Sequence, residues 1–378
     1  MNSVSPAQGI VDVCERSPSY VRGIAPYQPG KPISELAREM GLKEDSIVKL
    51  ASNENPLGAS PKALAAMRAA LGEVARYPDG NGFELRMALA KMYGVAAEQI
   101  VLGNGSNDVL EMAAHAFLAP GATAVYSQHA FAVYPLATQA TGAAGIEVPA
   151  RDFGHDLEAM ARAVRRDTRV VFVANPNNPT GTWLAPNALH AFLRGLPADV
   201  LLVLDEAYYE YLDPGRRGDS LHWLGQFPNL IISRTFSKAY GLAGLRVGFA
   251  FAHPQVADLM NRVRQPFNVS GVAQAAAVAA LADQAFVNRS RALNAQGMQT
   301  LIAAFRRNGL PWIPSFANFV SVRVPRAAEV FQRLLRRGVI VRPIAGYGLP
   351  DYLRVTIGTE TENARFIDAL EAILTELR

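Results

Sequence analysis

The chain of 378 residues is too long for one small core and suits one large unit with a second, smaller one. Half of it is hydrophobic, which excludes a disordered chain, and 37 basic against 33 acidic side chains leave a net charge of only +4, which predicts no nucleic-acid partner. A single cysteine, Cys14, excludes an intrachain disulfide and a Cys-based metal cluster, and the six histidines lack the spacing that puts two ligands on one helix face, so no metal is expected.

Residues 1 to about 46 are rich in Pro, Gly and Ser, with a short helical piece near Ser34–Met40. They read as an arm that packs on its own small domain or on a second subunit. The start MNSVSPAQGIVDVCERSPSY has no basic opening followed by an apolar run, and no stretch reaches the roughly 20 apolar residues of a membrane span. A soluble cytoplasmic protein is the expectation. From Ile47 onward, short apolar runs alternate with amphipathic segments. Strands are expected over Ile100–Leu102, Thr123–Tyr126, Gly145–Val148, Val170–Ala174, Val200–Leu204, Leu230–Ser233 and Val247–Phe251, and helices over Asn107–Leu118, Leu157–Arg165 and Pro186–Leu193. This alternation predicts an α/β fold, a mainly parallel sheet covered by helices on both faces, in a large domain of residues 47–266. Arg162, Arg165, Arg166 and Arg169 lie on one of these helices and its end, and read as a solvated face. After Pro266 come long helical stretches, Gly271–Ala282 and Gln284–Arg307, then Asn318–Arg323, a helix over Arg326–Arg337, short strands and a terminal helix from Thr361. That is a smaller α+β domain of residues 267–378.

In open parallel sheets, ligands bind beyond the carboxyl ends of the strands, so the loops there carry the chemistry. Val101–Val109 is a strand, a glycine turn and a helix start, where backbone N–H groups and the positive end of the helix receive an anion. Asp108 stands where a dinucleotide fingerprint has its third glycine, so one phosphate is expected, not two. Asn175-Pro176-Asn177-Asn178-Pro179-Thr180-Gly181 makes a rigid turn suited to pointing one amide at a fixed place. Leu201–Tyr208 is an apolar strand ending in Asp205, followed three residues on by Tyr208. A carboxylate buried there needs a cation, and a protonated pyridine nitrogen is one such partner; an ordinary helix N-cap would explain Asp205 equally well. Ser233–Arg246 carries Lys238 just past a strand end, among hydroxyls and glycines. A lysine amine attacks carbonyls, and it gives up its proton more readily when desolvated or beside another cation. Thr235, Ser237 and Arg246 can all donate to one phosphate. Alone, Lys238 reads as a surface residue of a Ser/Gly loop; the other three segments reverse that reading.

In type and order, Gly105-Ser106-Asn107-Asp108, the Asn175–Gly181 turn, Asp205-Glu206-Ala207-Tyr208, and Ser237-Lys238 followed by Gly241, Gly244 and Arg246 resemble the fold-type I aminotransferases of class I/II. Val21–Gly30, Ala51–Gly58 and Arg76–Asp79 are similar, more narrowly, to the histidinol-phosphate aminotransferases among them. The resemblance runs from about Val21 to Thr359. It implies pyridoxal 5'-phosphate held as a Schiff base on Lys238, with its pyridine nitrogen on Asp205, its phenolic oxygen on Asn175 and Tyr208, and its ring against Phe131. Its phosphate would lie on Ser106, Asn107, Thr235, Ser237 and Arg246. Tyr77 resembles a residue that reaches the phosphate of a partner subunit, which implies a homodimer. Arg354 matches the arginine that grips a substrate carboxylate; Arg342 and Tyr27 are candidates for the phosphate end of histidinol phosphate, and Asn53 joins them as a substrate contact. Two departures stand out: Asn107 where such enzymes often carry Asp, and Gln128-His129-Ala130 in place of the more usual Pro-Thr.

The implied reaction is a ping-pong transamination of histidinol phosphate and 2-oxoglutarate to imidazole-acetol phosphate and glutamate. An aromatic or broad-range amino-acid aminotransferase shares every cofactor residue, which makes Arg342 the discriminating position. A nicotinamide-dependent dehydrogenase is the outside alternative, disfavoured by the missing third glycine.

Overall fold

The computed structural model describes residues 13–377, so residues 1–12 of the expected arm lie outside the described residues. The strands, in chain order, are β1 (Val48–Lys49), β2 (Ile100–Gly103), β3 (Thr123–Ser127), β4 (Ala144–Val148), β5 (Thr168–Ala174), β6 (Leu201–Asp205), β7 (Leu230–Thr235), β8 (Gly248–Ala252), β9 (Trp312–Ile313), β10 (Phe319–Arg323), β11 (Val339–Ile340), β12 (Arg342–Pro343) and β13 (Tyr352–Thr356). Seven of them form one sheet in the order β2-β8-β7-β6-β5-β3-β4, parallel except for β8, which runs against both its neighbours. The expected α/β architecture is the one found.

The two-residue period of the strands builds two cores. Val171, Val173, Leu202, Leu204 and Ile232 face one layer, shared with the helices Phe83–Tyr93, Pro186–Gly195 and Gly271–Leu281. Val170, Phe172, Leu201, Val203 and Ile231 face the other, shared with Ser106–Phe117, Val133–Ala140 and Pro254–Val263. Burial on both sides is why these strands are continuous runs of Val, Ile, Leu and Phe rather than alternating ones. Each such fully buried side chain contributes about 1.5–3 kcal/mol.

A second unit forms around the antiparallel sheet β12-β13-β10-β9 and the helices Ala327–Arg336 and Glu360–Glu376. Residues 33–49 belong to it, since β1 pairs in parallel with β11, and Leu36 of the helix Ile33–Met40 packs on Ile47, Leu335 and Ile340, whereas the helix Ser19–Arg22 packs on Val133–Ala140 of the large unit. Both expected boundaries therefore move. Val48–Lys49 lies with the small unit although it was expected in the large one, and Gly271–Leu281 packs in the large unit although it was expected in the small one. The crossing is the helix Gln284–Arg307, whose Val287 sits in the large core and whose Leu301 and Phe305 sit in the small one. No helix among the described residues is long and apolar enough to cross a membrane. The carboxyl ends of β5, β6 and β7 and the start of Ser106–Phe117 open toward the small unit, and the cleft lies there.

Candidate active site

Sequence dictates an anion cup at one end of the cleft. Gly105 has φ +80 and turns β2 into the helix Ser106–Phe117, twelve residues long, whose free N–H groups and positive dipole end face the cleft beside Ser106 and Asn107. The turn is tightly enclosed: a Cβ on Gly105 would lie 2.2 Å from Arg246 Nη2, and one on Gly248 would lie 2.5 Å from Ser106 N. Arg246 donates to Ser237 Oγ at 3.3 Å and to the Ala243 carbonyl at 3.0 Å, and the Ser237 N–H donates to Thr235 Oγ1 at 3.1 Å. Among the described residues no carboxylate is ion-paired with Arg246, so its charge is available to a ligand.

Asp205 ends β6, buried on the cleft wall. Burial pushes its carboxyl up to about 6, opposed by the Tyr134 hydroxyl, which donates to Oδ2 at 2.8 Å, and by the Ala207 N–H at 3.2 Å on Oδ1. Tyr134 is fully buried and stacked on Phe172 with centroids 4.9 Å apart, so its hydroxyl is held at a fixed point. Lys238 faces the same cleft and donates to the Ser52 carbonyl at 3.3 Å. Burial lowers its ammonium to about 8, helped by the positive charges of Arg354 and Arg246. Such an amine is substantially neutral near pH 8 and competent as a nucleophile or base.

The opposite end is cationic. Arg354, on β13, is buried, donates to Asn178 Oδ1 and to the Ala51 carbonyl, both at 2.6 Å, and keeps a buried Nε–H without a partner. Among the described residues it meets no carboxylate, so burial lowers its proton affinity. Arg342 lies beside it in the cleft, paired across β12 and β13, with its guanidinium over the Tyr27 ring at 5.9 Å and bonded to the Gln28 carbonyl at 2.6 Å. Tyr208 lines the wall between the two ends; burial pushes its phenol up to about 12.

Residues 45–370 match the sequence model of the family described as aminotransferase class I and II. The chain belongs to the class I and II aminotransferases. Among its relatives in this family, histidinol-phosphate aminotransferase 2 of Nitrosospira multiformis is 62% identical, covering 96% of this chain and 93% of its own. The histidinol-phosphate aminotransferase of Methylobacillus flagellatus is 65% identical over 95% of this chain and 97% of its own. The crystal structure of histidinol-phosphate aminotransferase from Sinorhizobium meliloti in complex with pyridoxal-5'-phosphate superposes with a TM-score of 0.88 at 31% identity, covering 96% of this chain and 98% of its own. A mutant aspartate aminotransferase of Thermus thermophilus does so with a TM-score of 0.80 at 26% identity, covering 94% and 97%.

This class I and II aminotransferase brings thirteen of its fifteen expected site residues to one cleft: Tyr27, Asn53, Ser106, Asn107, Phe131, Asp205, Tyr208, Thr235, Ser237, Lys238, Arg246, Arg342 and Arg354. Asn175 is not one of them. Its amide is consumed by Leu184, accepting from the N–H at 2.8 Å and donating to the carbonyl at 3.1 Å, which braces the loop instead of facing the cleft. Asn178, three residues on, takes the cleft-facing place and touches Arg354. Tyr77 is also outside: it is 83% exposed and stacked on Phe267 at 4.7 Å. Asn53 lines the cleft, but its amide is spent on the protein, donating to the Tyr208 hydroxyl at 2.9 Å and accepting from Thr356 at 3.1 Å. Sequence reasoning missed Tyr134, whose place three residues after Phe131, in the first turn of the helix Val133–Ala140, was the available signal.

Proposed function

We propose that this chain is a pyridoxal-phosphate-dependent aminotransferase that moves an amino group between histidinol phosphate and 2-oxoglutarate, working as a homodimer. The observation that carries the reading is a pair of buried, unmatched charges in one cleft, Asp205 without a bonded cation and Arg354 without a carboxylate among the described residues. Leaving either charge buried and unpaired is costly, so the cleft calls for ligands that bring a cation to one end and an anion to the other.

Pyridoxal phosphate fits this set of donors. Asp205 would receive its pyridine N–H, the Ser106–Asn107 helix start with Thr235, Ser237 and Arg246 its phosphate, Tyr208 and Asn178 its phenolic oxygen, and Lys238 would hold it covalently. Bound there, the cofactor supplies an electron-withdrawing ring that stabilises negative charge at the substrate carbon bearing the nitrogen. Asp205 keeps the ring nitrogen protonated, and Tyr134 keeps Asp205 in place. Phe131, on the same cleft, would offer its ring to the cofactor's face. Lys238, when its amine is free, would be the base that takes and returns the proton at the substrate α-carbon, a task suited to its lowered pKa.

Arg354 orients the substrate. Glutamate offers it a carboxylate; histidinol phosphate has none and presents a phosphate monoester at that end. The larger charge suits two guanidiniums, so Arg342 joins Arg354, with Tyr27 beside it. The relatives that are 62% and 65% identical, each covered over 93% or more of its length, support this substrate class. The exposed apolar side chains Leu71, Val74, Tyr77, Phe83 and Phe267 support a subunit interface near Tyr77.

The test presents purified holoenzyme separately with histidinol phosphate, phenylalanine, tyrosine and glutamate and follows loss of the visible absorbance of the lysine-bound cofactor. Histidinol phosphate and glutamate should react fastest; if histidinol phosphate reacts no faster than phenylalanine, the substrate assignment fails. Lys238→Ala should abolish turnover even with cofactor retained, and normal turnover in that variant would sink the mechanism.

A further inference from the structure

Gln128-His129-Ala130 departs from the family pattern, and nothing in the site as described uses it. His129 has a left-handed backbone, φ +58, and its ring spans from the large unit to the small one, where Nδ1 lies within hydrogen-bond distance of the Tyr347 carbonyl. Because the partner is a carbonyl, Nδ1 is the donor. The contact is braced from several sides. Asn177 Nδ2 holds the His129 carbonyl at 3.0 Å. The His129 ring sits 6.4 Å from Phe153, which meets Tyr352 edge-on at 5.8 Å. Gly348, at φ +75, lies beside the same ring, where a Cβ would meet His129 Cε1 at 3.4 Å, an ordinary contact.

What this contact holds is the stretch bearing the cationic end of the cleft. Arg342 stands on β12, a two-residue edge strand paired only through Arg342↔Arg354 and Pro343↔Leu353. The Gln28 carbonyl and the Tyr27 ring hold its guanidinium from the arm, but two residues of pairing do little to fix the backbone beneath it. Next along the chain Ile344 is fully buried and its N–H bonds the Tyr352 carbonyl at 3.3 Å, and the turn Ala345–Tyr347 follows, its Tyr347 carbonyl held by His129. The Tyr347 side chain is itself part-buried and within electrostatic range of Arg354, Tyr27 and Arg342. On the other side, Tyr352 opens the strand that carries Arg354. We infer that His129 and Tyr347 are positioning residues that lock the β12 turn to the Phe131 loop and so set the spacing of Arg342 and Arg354 for a phosphate-bearing substrate.

This rests on the substrate reading above, and its consequence is selective. A carboxylate needs Arg354 alone, which buried bonds to Asn178 and Ala51 hold independently. A phosphate needs both guanidiniums at the right separation. Loosening the latch should therefore weaken phosphate recognition and spare the rest.

The experiment compares wild type, His129→Ala and His129→Asn as holoenzymes. It measures KM and kcat for histidinol phosphate and for glutamate, inhibition of the glutamate half-reaction by inorganic phosphate, cofactor affinity and thermal unfolding. His129→Ala should raise KM for histidinol phosphate and Ki for inorganic phosphate roughly tenfold, the loss of about one hydrogen bond's worth of order. KM for glutamate, kcat and cofactor affinity should stay within about twofold. His129→Asn, an amide donor at ease with positive φ, should recover part of the loss. Equal increases for glutamate and phosphate, or unchanged values for both, would overturn the proposal, leaving the contact as packing. Inorganic phosphate keeps the two readings apart: should histidinol phosphate not be a substrate at all, a selective rise in phosphate Ki still supports the latch and its absence still refutes it.

Discussion

Asp205 is held above the usual carboxylate range at about 6, chiefly by burial, while the Tyr134 hydroxyl pulls it down. A raised pKa means that the folded chain binds this proton more tightly than the unfolded chain does. Its contribution to the stability of the cofactor-free protein is therefore full below about pH 4 and lost as pH rises through about 6. A ligand bearing N–H⁺ needs the ionised form, so cofactor affinity should climb across that same window. Removing the hydroxyl in Tyr134→Phe should shift the midpoint of that climb upward by about one pH unit and cut affinity at pH 6 by severalfold to tenfold, with less effect at pH 8. Fluorescence titration of cofactor-free protein between pH 5 and 8 measures it; an unmoved midpoint would mean the hydrogen bond does not act on the carboxylate. A companion test concerns Lys238, whose ammonium is lowered to about 8 by burial and then by Arg354. Covalent uptake of cofactor should accelerate with a midpoint near pH 8, and Arg354→Met should move that midpoint up. Most of these groups were legible from motif order alone, because strand ends and a glycine turn fix where Asp205, Lys238 and Ser106 go. Asn175 was not: with three asparagines in seven residues, only the path of the loop decides which amide faces the cleft and which is spent on Leu184.

At the scale of elements, the strands of the large sheet were readable because burial on both faces leaves unbroken apolar runs, and each was placed to within one or two residues. The unit boundary was not readable. Gly271–Leu281 is alanine-rich and apolar on all sides, so its sequence carries no stripe to say which core it joins. Gln284–Arg307 is one uninterrupted helix of 24 residues, about 36 Å long, that serves both cores in turn. Its crossing with the segment after β13 depends on Gly297, where a Cβ would stand 2.5 Å from the Ile357 side chain and 2.8 Å from the Asn363 amide. Gly297→Ala gains about 1 kcal/mol of helix propensity and meets an overpacking cost of typically 1–3 kcal/mol. The clash should win, because Asn363 is pinned by two bonds to Gly358 at 2.9 Å and cannot yield cheaply. A net loss of roughly 1 kcal/mol is expected by thermal or urea unfolding, and a stabilised variant would show that the crossing relaxes freely.

For the whole molecule, the cleft of one chain contains thirteen of the expected residues and omits Tyr77, which stands exposed and stacked on Phe267 among apolar side chains. If Tyr77 completes the cleft of a second subunit, Lys238 and Tyr77 of one chain serve different sites. Mixed dimers test this directly. Pairing a Lys238→Ala chain with a Tyr77→Ala chain rebuilds one full site, with Lys238 from the second and Tyr77 from the first, so its kcat/KM per intact site should match wild type. Pairing a chain that carries both substitutions with a wild-type chain gives one working lysine, but its phosphate cup then lacks Tyr77. That hybrid should hold cofactor several-fold less tightly, as expected for a lost hydrogen bond to a charged group. Self-contained subunits would give the reverse order: the doubly substituted chain would leave its wild-type partner untouched, and the singly substituted pair would show only the impaired Tyr77→Ala site. The comparison needs only cofactor affinity and initial rates on tagged, separated hybrids, and the two arrangements predict opposite rankings.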